Sequence, residues 1–252
     1  MAKKSSAVKG TKIVKRQAVK QMHNTRSSRD WDLDFKINHH YKLTGQQLKF
    51  LEDAEANNDT HMCVVDGPAG TAKTYIAVLA ALNLLKTQAI EEIVYIRSIV
   101  ESASRQLGSL PGEVEAKFAP WSMPLIDKLD ELLPPGVSNN LFAKGYVKCV
   151  PVNFTRGLTF RNSCVIIDEA QNLTLSELTT IMTRFGHNSK YIIVGDTLQS
   201  DINGKSGYGK ILNAFSSLEC SDEGINVYKF DKTDIVRSKI LRFIVSRLET
   251  IE

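Results

Sequence analysis

The feature that most constrains this chain is the stretch 62–74, an apolar run that ends in a glycine-containing turn and is followed by Lys73-Thr74. Residues 62–65 have strand character, and the alanine- and leucine-rich stretch 75–85 is typical of a buried helix. The backbone N–H groups of such a turn and the positive end of a helix dipole together attract anions. The stretch therefore predicts a strand, a phosphate-binding loop and a helix.

The loop approximates the pattern G-x-x-x-x-G-K-[ST], in which the lysine reaches the β- and γ-phosphates and the hydroxyl holds Mg²⁺. Its candidate nucleotide contacts are Gly67, Pro68, Ala69, Gly70, Thr71, Ala72, Lys73 and Thr74. Ala72 replaces the second glycine of the pattern. Alanine fits a helix entry, but it weakens binding if the position requires a positive φ. A plain turn is the alternative, and the flanking strand and helix favour phosphate binding.

A second chemical landmark is the acidic pair Asp168-Glu169 after the apolar run 164–167. Such a run predicts a buried parallel strand that delivers carboxylates at the carboxyl edge of its sheet. We expect Asp168 to associate with Mg²⁺ beside Thr74, and Glu169 to polarise the water that attacks the γ-phosphate. Gln199 follows a third apolar strand, and its amide can hydrogen-bond both a phosphate oxygen and water, as a γ-phosphate sensor does.

Gln46 and Gln47 stand at the start of an expected helix upstream of the loop. An amide there can contact an adenine edge with its donor and its acceptor. A solvent-facing helix residue is the alternative for either one.

Four arginines are further candidates. Arg156 precedes the acidic strand and Arg237 begins the last expected helix, so either is a candidate arginine finger that neutralises transition-state charge. Arg97 and Arg105 follow the second strand, where ligands gather in open α/β sheets. Structural ion pairs or ordinary surface roles are the alternatives for all four.

The remaining pattern alternates strands and helices, which predicts an α/β fold with a mostly parallel central sheet flanked by helices. Further strands are expected at 93–97, 146–152 and 225–230, and further helices at 113–133, 138–144, 174–185 and 235–249. Pro120 and Pro124 should kink or split the first of these helices. In the last helix the expected buried stripe consists of Ile240, Leu241, Ile244, Val245 and Leu248.

Composition narrows the class of protein. The 252 residues allow one large α/β domain, or one domain with an appendage. No apolar run approaches the ~18 residues of a membrane span, and the charged N-terminus does not resemble a secretory signal, so we expect a cytoplasmic protein that does not enter a membrane. The four cysteines lack metal-ligand spacing, so neither a disulfide nor a metal site built on cysteine is expected.

Charge is distributed unevenly along the chain. The net charge is +4, whereas residues 1–29 carry nine lysines and arginines and no acid, which leaves −5 for the remainder. We expect residues 1–30 to be a disordered basic tail before a single domain at 31–252. The tail is either an arm that contacts nucleic-acid phosphates or a solubilising or partner-docking segment, because charge alone gives sequence-independent attraction.

Four segments together resemble the PhoH family of P-loop ATPases. In chain order they are the loop Gly67 to Thr74, Asp168-Glu169-Ala170-Gln171-Asn172, Gly195-Asp196-Thr197-Leu198-Gln199 and Asp234-Ile235-Val236-Arg237. The resemblance covers roughly residues 42–248. In its short, stand-alone form the chain is similar to the PhoH-like proteins found in bacteriophages. The resemblance implies a RecA-like core similar to that of superfamily 1 helicases, with ATP and Mg²⁺ as ligands.

The resemblance also implies residue roles: nucleotide and metal contacts for Lys73 and Thr74, a magnesium-associated acid for Asp168, the general base for Glu169, the phosphate sensor for Gln199, and a family arginine for Arg237. Some family members carry a PIN-type nuclease domain, which this chain has no room for, so no intrinsic RNase activity is expected.

The function expected on this basis is ATP hydrolysis coupled to RNA or single-stranded DNA. Superfamily 1 helicases close their cleft with a second RecA-like domain, so a neighbouring subunit should supply that wall here, in a homo-oligomeric ring that we expect to be a hexamer. The alternative, favoured by Ala72, is a nucleotide-binding scaffold or chaperone with little turnover. A small-molecule kinase is disfavoured, because the acidic pair and Gln199 suit water activation better than transfer to an alcohol.

Overall fold

The structure is a computed structural model that describes residues 33–56, 59–98, 114–202, 204–236 and 239–248. By contact the chain divides into Met1–Asp34, nearly all of which lies outside these ranges, and Phe35–Glu252, which carries the fold. The expected disorder of the tail at 1–30 also lies outside the described residues.

The described part of the chain forms a six-stranded sheet in the order β3-β2-β4-β5-β1-β6. Every pairing between these strands is parallel. The strands are β1 (Met62–Asp66), β2 (Glu92–Arg97), β3 (Val147–Cys149), β4 (Ser163–Asp168), β5 (Ser189–Gly195) and β6 (Ile225–Lys229). The α/β class and the parallel sheet that the sequence predicts are confirmed.

Helices connect the strands, as parallel pairing requires. Those described are α1 (Gly45–Glu55), α2 (Lys73–Lys86), α3 (Val114–Leu132), α4 (Val137–Ala143), α5 (Leu175–Met182), α6 (Tyr208–Ala214), α7 (Leu218–Asp222) and α8 (Lys239–Leu248). Thr174 caps α5 in a reciprocal capping box with Glu177, as the sequence predicts. Such a cap contributes about 1 kcal/mol.

The sheet is buried on both faces. The strand residues of β4 and β5 are all buried, and so are ten residues of α2, which lies against the sheet. On the opposite face the core contains Val64, Ile167 and Ile193 from neighbouring strands. Burying one such side chain contributes about 1.5–3 kcal/mol relative to leaving it exposed, so these strands fix the sheet firmly.

Strand order decides where the chemistry can occur. β5 pairs with β1 on one side and with β4 on the other, so that Asp66 lies opposite Gly195 and Ile167 opposite Ile193. The carboxyl ends of these three strands therefore meet at one edge of the sheet. The phosphate-binding loop follows β1, and the acidic pair lies at the end of β4.

Three sequence predictions require correction. Helix α3 is not split at Pro120 and Pro124, since each proline removes one N–H donor while the remaining bonds hold the helix together, and the alternative of a kink stays a prediction. Strand β3 is three residues long, because Pro151 has no N–H to donate and precedes a 3₁₀ turn at Val152–Phe154. In α8, Ile240 and Ile244 are 62% and 45% exposed, not buried.

The rest of the expected stripe in α8 is partly described. Val245 is buried, whereas the side chains of Leu241 and Leu248 lie outside the description. Phe243 adds to the exposed apolar surface at 55% exposure. The apolar face of α8 is thus turned away from the core at three positions.

Two further expectations concern disulfides or metal sites at the cysteines and helices that could span a membrane. Cys63, Cys149, Cys164 and Cys220 are all free thiols, and no cluster of three or more metal-ligating side chains is found among the described residues. In the same part of the chain, none of the helices has the length and apolar character needed to cross a bilayer.

Candidate functional site

The loop between β1 and α2 has the backbone shape of an anion cradle. Gly70 has φ +86°, and Ala72, directly before the helix, has φ +58° and ψ +23°. Contacts behind the loop hold it: Val236 N–H donates to the Gly70 carbonyl at 3.3 Å, and the Thr71 hydroxyl donates to the Pro68 carbonyl at 2.8 Å. The first N–H groups of α2 have no intrahelical partner and are available to an anion at this end of the helix.

Ala72 therefore occupies a position that does have a positive φ. A non-glycine residue in the left-handed region costs roughly 1–2 kcal/mol. The expectation that alanine fits the helix entry is corrected by this geometry: the residue is tolerated under strain. Glu169 at the acidic strand end is strained in the same way, with φ +52°. Strain of this kind concentrates at functional sites.

Lys73 folds back across the loop. Its Nζ donates to the carbonyl oxygens of Gly67 at 2.5 Å and Pro68 at 2.9 Å. Burial lowers the pKa of this ammonium, and the carboxylates of Asp196 and Glu169 partly offset that shift. A phosphate oxygen would offer the ammonium a charged acceptor in place of two neutral carbonyls.

Asp168 is the point where the loop and the acidic strand meet. The Thr74 hydroxyl donates to Asp168 Oδ1 at 2.9 Å, and the Tyr95 hydroxyl donates to Asp168 Oδ2 at 2.5 Å. Burial, followed by the Asp168 carboxylate, raises the pKa of Tyr95 far above its ordinary value, so Tyr95 keeps its proton and remains a donor. The Asp168 carboxylate is thus fixed in orientation and 4% exposed.

Glu169 is held by a neighbouring amide. Gln171 Nε2 donates to Glu169 Oε2 at 2.5 Å, while Gln171 Oε1 accepts from the Asp196 N–H at 3.1 Å. Gln171 therefore ties the acidic pair to the end of β5. Arg97 Nη2 lies 3.7 Å from Glu169 Oε1, a partly exposed pair whose contribution to stability is small.

Asp196 and Asp66 add two carboxylates to this edge of the sheet. Burial raises the pKa of Asp196, and the Leu198 N–H and the Lys73 ammonium oppose that shift. Asp66 accepts from the Thr197 N–H at 2.9 Å and from the Thr197 hydroxyl at 3.0 Å, which fixes the turn after β5. That turn carries Gln199.

These residues surround a cleft of about 230 Å³. It is lined by Tyr41, Ala69, Gly70, Ala72, Lys73, Thr74, Tyr75, Lys128, Asp168, Glu169, Gly195, Asp196, Gln199 and Val236. The structure thus brings together most of the loop, the acidic pair and Gln199, as the sequence predicts. The volume is below the roughly 300–1,000 Å³ of typical ligand pockets.

The two upstream glutamines do not line the cleft. Gln46 is exposed on α1. Gln47 is completely buried, and its Nε2 donates to the carbonyls of Thr71 at 2.9 Å and Asp234 at 2.7 Å. Its Oε1 accepts from the Thr44 N–H at 2.9 Å. The adenine contact expected of Gln47 is therefore corrected: its amide supports the loop from behind.

The four candidate arginines differ in where they lie relative to the cleft. Arg156 is exposed and is not among the residues that line the cleft. Arg237 and Arg105 lie outside the described residues. Arg97 contacts Glu169, so of the four it is the one that the described structure brings to the acidic pair.

Sequence reasoning missed two positioning residues. Gln171 lies within the acidic segment, and its spacing of two from Glu169 was available as a signal. Tyr95 gave none, because an aromatic residue inside an apolar strand indicates packing. Its role depends on the pairing of β2 with β4, which places Arg97 opposite Asp168.

Comparison with known proteins places this cleft in a family. A family model described as PhoH-like protein matches residues 41–249. The PhoH-like protein of Bacillus subtilis (strain 168) is 37% identical over 181 residues, which cover 71% of this chain and 55% of that protein. The PhoH-like protein of Synechocystis sp. is 33% identical over 209 residues, covering 83% and 62% respectively.

Protein PhoH of Escherichia coli (strain K12) is 33% identical over 198 residues, 77% of this chain and 54% of that protein. The chain therefore spans a little over half of the length of these relatives. Among solved structures, the Pyrococcus furiosus Hef helicase domain has a TM-score of 0.44 at 12% identity and covers 75% of this chain and 38% of its own.

The matched segment includes every residue that lines the cleft, from Tyr41 to Val236. Its parallel α/β sheet carries the loop Gly67 to Thr74, which approximates the phosphate-binding pattern, between β1 and α2. On the extent of the family match and the identity with these relatives, the chain is a P-loop nucleotide-binding protein and belongs to the PhoH family.

Proposed function

We propose that this protein binds ATP with Mg²⁺ in the cleft and hydrolyses it. The observation that carries the proposal is the 2.9 Å hydrogen bond from Thr74 to Asp168, which joins the phosphate-binding loop to the acidic strand end. Lys73 and Glu169 line the same cleft. A triphosphate seated on the loop therefore has a cation at its β- and γ-oxygens and a carboxylate beyond its terminal phosphate.

The donors present suit Mg²⁺. Thr74 and Asp168 offer a hydroxyl and a carboxylate in contact with one another, and Mg²⁺ takes one or two such protein oxygens together with water and phosphate. Asp66, Glu169 and Asp196 would otherwise repel a polyanionic substrate. Thr74 and Asp168 would hold Mg²⁺, which would supply positive charge against the negative phosphate oxygens.

The chain's own groups then divide the work of hydrolysis. Lys73 exchanges the carbonyls of Gly67 and Pro68 for phosphate oxygens. Glu169 accepts a proton from the attacking water, with its carboxylate held in place by Gln171. Gln199 hydrogen-bonds the γ-phosphate or the water, so the turn after β5 differs between the triphosphate and diphosphate states.

Phosphate release and equilibrium binding of ATP by wild type, Lys73→Ala and Glu169→Gln test this function. Hydrolysis requires Glu169 but binding does not, so Glu169→Gln should lose turnover by at least about 100-fold and retain affinity. Lys73→Ala should lose both. Turnover that survives Glu169→Gln would contradict the proposed general base.

We further propose that turnover is coupled to RNA or single-stranded DNA through the basic residues at 1–29. Lysines and arginines attract nucleic-acid phosphates irrespective of sequence, and salt weakens that attraction. The test compares ATPase activity with and without RNA or single-stranded DNA, for wild type and for full-length protein with the nine basic residues of 1–29 replaced by glutamine. Loss of this stimulation in the glutamine variant supports the proposal. Unchanged stimulation would contradict it and would mean that the nucleic acid binds to the folded domain.

We also propose that the cleft is completed by a second copy of the chain in a homo-oligomeric ring, taken to be a hexamer. Ile240, Phe243 and Ile244 form an exposed apolar surface on α8, shortly after Val236 at the cleft, and exposed apolar patches commonly mark interfaces. Arg156 or Arg237 of the neighbouring copy would then supply the arginine finger. Light scattering with ATP and Mg²⁺ that shows only a monomer would contradict this assembly.

A nucleotide-binding scaffold or chaperone with little turnover is the second candidate. Ala72 favours it, because alanine replaces the second glycine of the phosphate-binding pattern at a position with a positive φ. ATP binding without phosphate release in wild type would select this function over hydrolysis.

A further inference from the structure

The turn at residues 196–201 carries Gln199, and the 3₁₀ turn Ala170–Asn172 directly follows Glu169. The first turn follows β5 and the second follows β4, and these two strands pair with one another. Gln199 and Glu169 also line the same cleft. The position of one side chain relative to the other therefore depends on how the two turns are attached.

Asn172 holds the end of the 196–201 turn from inside the protein. Its Oδ1 accepts from the Asp201 N–H at 2.8 Å, and its Nδ2 donates to Asp201 Oδ2 at 3.2 Å. Asn172 is 8% exposed, whereas Asp201 is exposed. An amide that engages both the backbone and the carboxylate of one residue fixes that residue in position and in orientation.

Gln171 joins the two turns a second time. The Ser200 hydroxyl donates to the Gln171 carbonyl at 3.2 Å, and Gln171 Oε1 accepts from the Asp196 N–H at 3.1 Å. The same side chain donates to Glu169 Oε2. The segment that begins with the proposed general base is thus bonded to residues on both sides of Gln199.

The beginning of the 196–201 turn has an attachment of its own. Asp66, at the end of β1, accepts from the N–H and the hydroxyl of Thr197 at 2.9 and 3.0 Å. Within the turn, the Gln199 N–H donates to the Asp196 carbonyl at 3.1 Å. Gln199 therefore stands between an attachment to β1 and an attachment to the acidic segment, and the bonds of Asn172 belong to the second.

The chain beyond Asp201 also stays beside the acidic segment. Gly207 N–H donates to the Leu173 carbonyl at 2.9 Å, and Thr174 and Ser206 form an antiparallel bridge. The two segments are therefore in contact at successive positions, so a shift of the turn alone would break several bonds.

We propose, on the basis of the function proposed above, that Asn172 is a positioning residue that couples Gln199 to Glu169 through Asp201. Gln199 must reach the γ-phosphate and Glu169 the attacking water, and a misplacement of about 1 Å can cost about 100-fold in rate. The pair Asn172–Asp201 holds the 196–201 turn where both side chains reach their targets. Discrimination between a nucleoside triphosphate and a diphosphate depends on this pair, although neither of its members lines the cleft.

The experiment exchanges the two members of the pair in the full-length protein. Asn172→Asp removes the Nδ2 donor and places a carboxylate against that of Asp201, so that the two repel. Adding Asp201→Asn restores a donor and an acceptor, in the opposite order, at the net charge of wild type. Asn83→Asp is the matched control, because Asn83 Nδ2 likewise donates to a carboxylate, Glu55 Oε1 at 2.6 Å, and neither residue lines the cleft.

Isothermal titration measures the dissociation constants of ADP and of a non-hydrolysable ATP analogue, each with Mg²⁺, and phosphate release gives kcat. Asn172→Asp should bind the analogue about 10-fold more weakly, as expected when a hydrogen bond to a charged phosphate is lost, and bind ADP as wild type does. Its kcat should fall about 10- to 100-fold. The double variant should recover both values, and Asn83→Asp should keep both.

Asp201→Ala tests the same bond if Asn172→Asp does not fold. Asp201 is exposed, so its replacement leaves the core intact and removes the acceptor of Asn172 Nδ2. This variant should also weaken binding of the analogue and lower kcat, with ADP binding unchanged.

Three results would overturn the inference. Wild-type kcat and analogue affinity in Asn172→Asp and Asp201→Ala would mean that the pair does not position Gln199. Equal weakening of ADP and analogue binding would mean that Asn172 only supports the fold. A double variant no better than Asn172→Asp would mean that the two residues do not act as a pair. Wild type that binds neither nucleotide would instead contradict the proposed function, and is recognised before any variant is compared.

Discussion

The Thr74 hydroxyl donates to Asp168 Oδ1 at 2.9 Å although the two residues are 94 positions apart in the chain. This contact exists because β5 pairs with both β1 and β4, which brings the end of the loop beside the end of the acidic strand. It is a direct side-chain contact between the phosphate-binding and the acidic parts of the cleft.

Replacing Thr74 tests that link. Thr74→Val keeps the shape and removes the hydroxyl, so Mg²⁺-dependent ATP affinity should fall by about 10-fold or more, as for other groups that hold or orient a metal. Thr74→Ser keeps the hydroxyl and should behave as wild type does. Titration of nucleotide binding with and without Mg²⁺ measures both, and equal affinities for the two variants would contradict the role of the hydroxyl.

Tyr95 positions the Asp168 carboxylate without touching the nucleotide. Tyr95→Phe leaves Asp168 Oδ2 without its 2.5 Å donor, which should cost about 1–3 kcal/mol of stability and raise the Mg²⁺ needed for half-maximal ATP binding by about 10-fold. Tyr191→Phe is the matched control, since Tyr191 is buried and donates to the Ile181 carbonyl away from the cleft. A merely structural role for Tyr95 would change stability in both variants and the Mg²⁺ requirement in neither.

The strain at Ala72 predicts a stabilising substitution. Ala72→Gly removes roughly 1–2 kcal/mol of backbone strain from the folded state. It also destabilises the folded state by about 0.4–1 kcal/mol, because glycine has greater conformational freedom in the unfolded chain. The net gain, between zero and about 1.6 kcal/mol, corresponds to a rise of up to roughly 3–6 °C in Tm. Gly70→Ala, at φ +86°, should act in the opposite direction. Thermal unfolding in which both variants shift alike would contradict the assignment of strain.

Gly195 is required by a close approach. A Cβ there would lie 2.6 Å from Tyr208 Cε1 and 3.0 Å from Gln171 Oε1. Gly195→Ala should therefore destabilise the protein by about 1–3 kcal/mol and reduce turnover by displacing Gln171. Gly209→Ala is the control, because nothing lies within 4 Å of its Cβ and alanine favours its helix. Wild-type stability and turnover in Gly195→Ala would contradict the packing described.

The thiols give a pH dependence. Burial raises the pKa of Cys63, Cys149 and Cys164 to about 12. Native protein should therefore show one fast thiol toward a disulfide reagent at pH 8, Cys220, and the other three should react slowly until the protein is denatured. Their slow reaction should accelerate about tenfold per pH unit while the thiols remain mostly protonated.

The same shifts affect stability. A raised pKa in the folded state contributes stability that is complete below the unfolded value of 9.0 and is lost as the pH rises towards 12. The free energy of unfolding should accordingly decline above pH 9.0. A flat profile between pH 9 and pH 11, or several fast thiols at pH 8, would contradict the burial of these groups.

The sequence predicted those parts of the fold and site that depend on local pattern. Apolar runs that end in Gly67 or Asp168 identify strands of a parallel sheet, and Lys73-Thr74 at a helix entry identifies the phosphate-binding loop. The roles assigned to Lys73, Glu169 and Gln199 stay predictions, although the structure brings these side chains to one cleft.

Tertiary contacts explain where the sequence was insufficient. Gln47 has the pattern of a surface helix residue, and its burial arises from carbonyls of Thr71 and Asp234 far along the chain. The left-handed conformation of Ala72 is imposed by the loop against the intrinsic preference of alanine. The apolar face of α8 follows helical periodicity, yet periodicity cannot specify whether the surface that covers it belongs to the same chain.

The central claim is that a triphosphate with Mg²⁺ lies between the loop and Asp168. A crystal structure of the full chain with Mg²⁺ and a non-hydrolysable ATP analogue tests it most directly. Lys73 Nζ should leave the Gly67 and Pro68 carbonyls for phosphate oxygens, with Mg²⁺ beside Thr74 and Asp168. An analogue bound elsewhere, or an empty cleft with Lys73 still on those carbonyls at saturating analogue, would contradict the account.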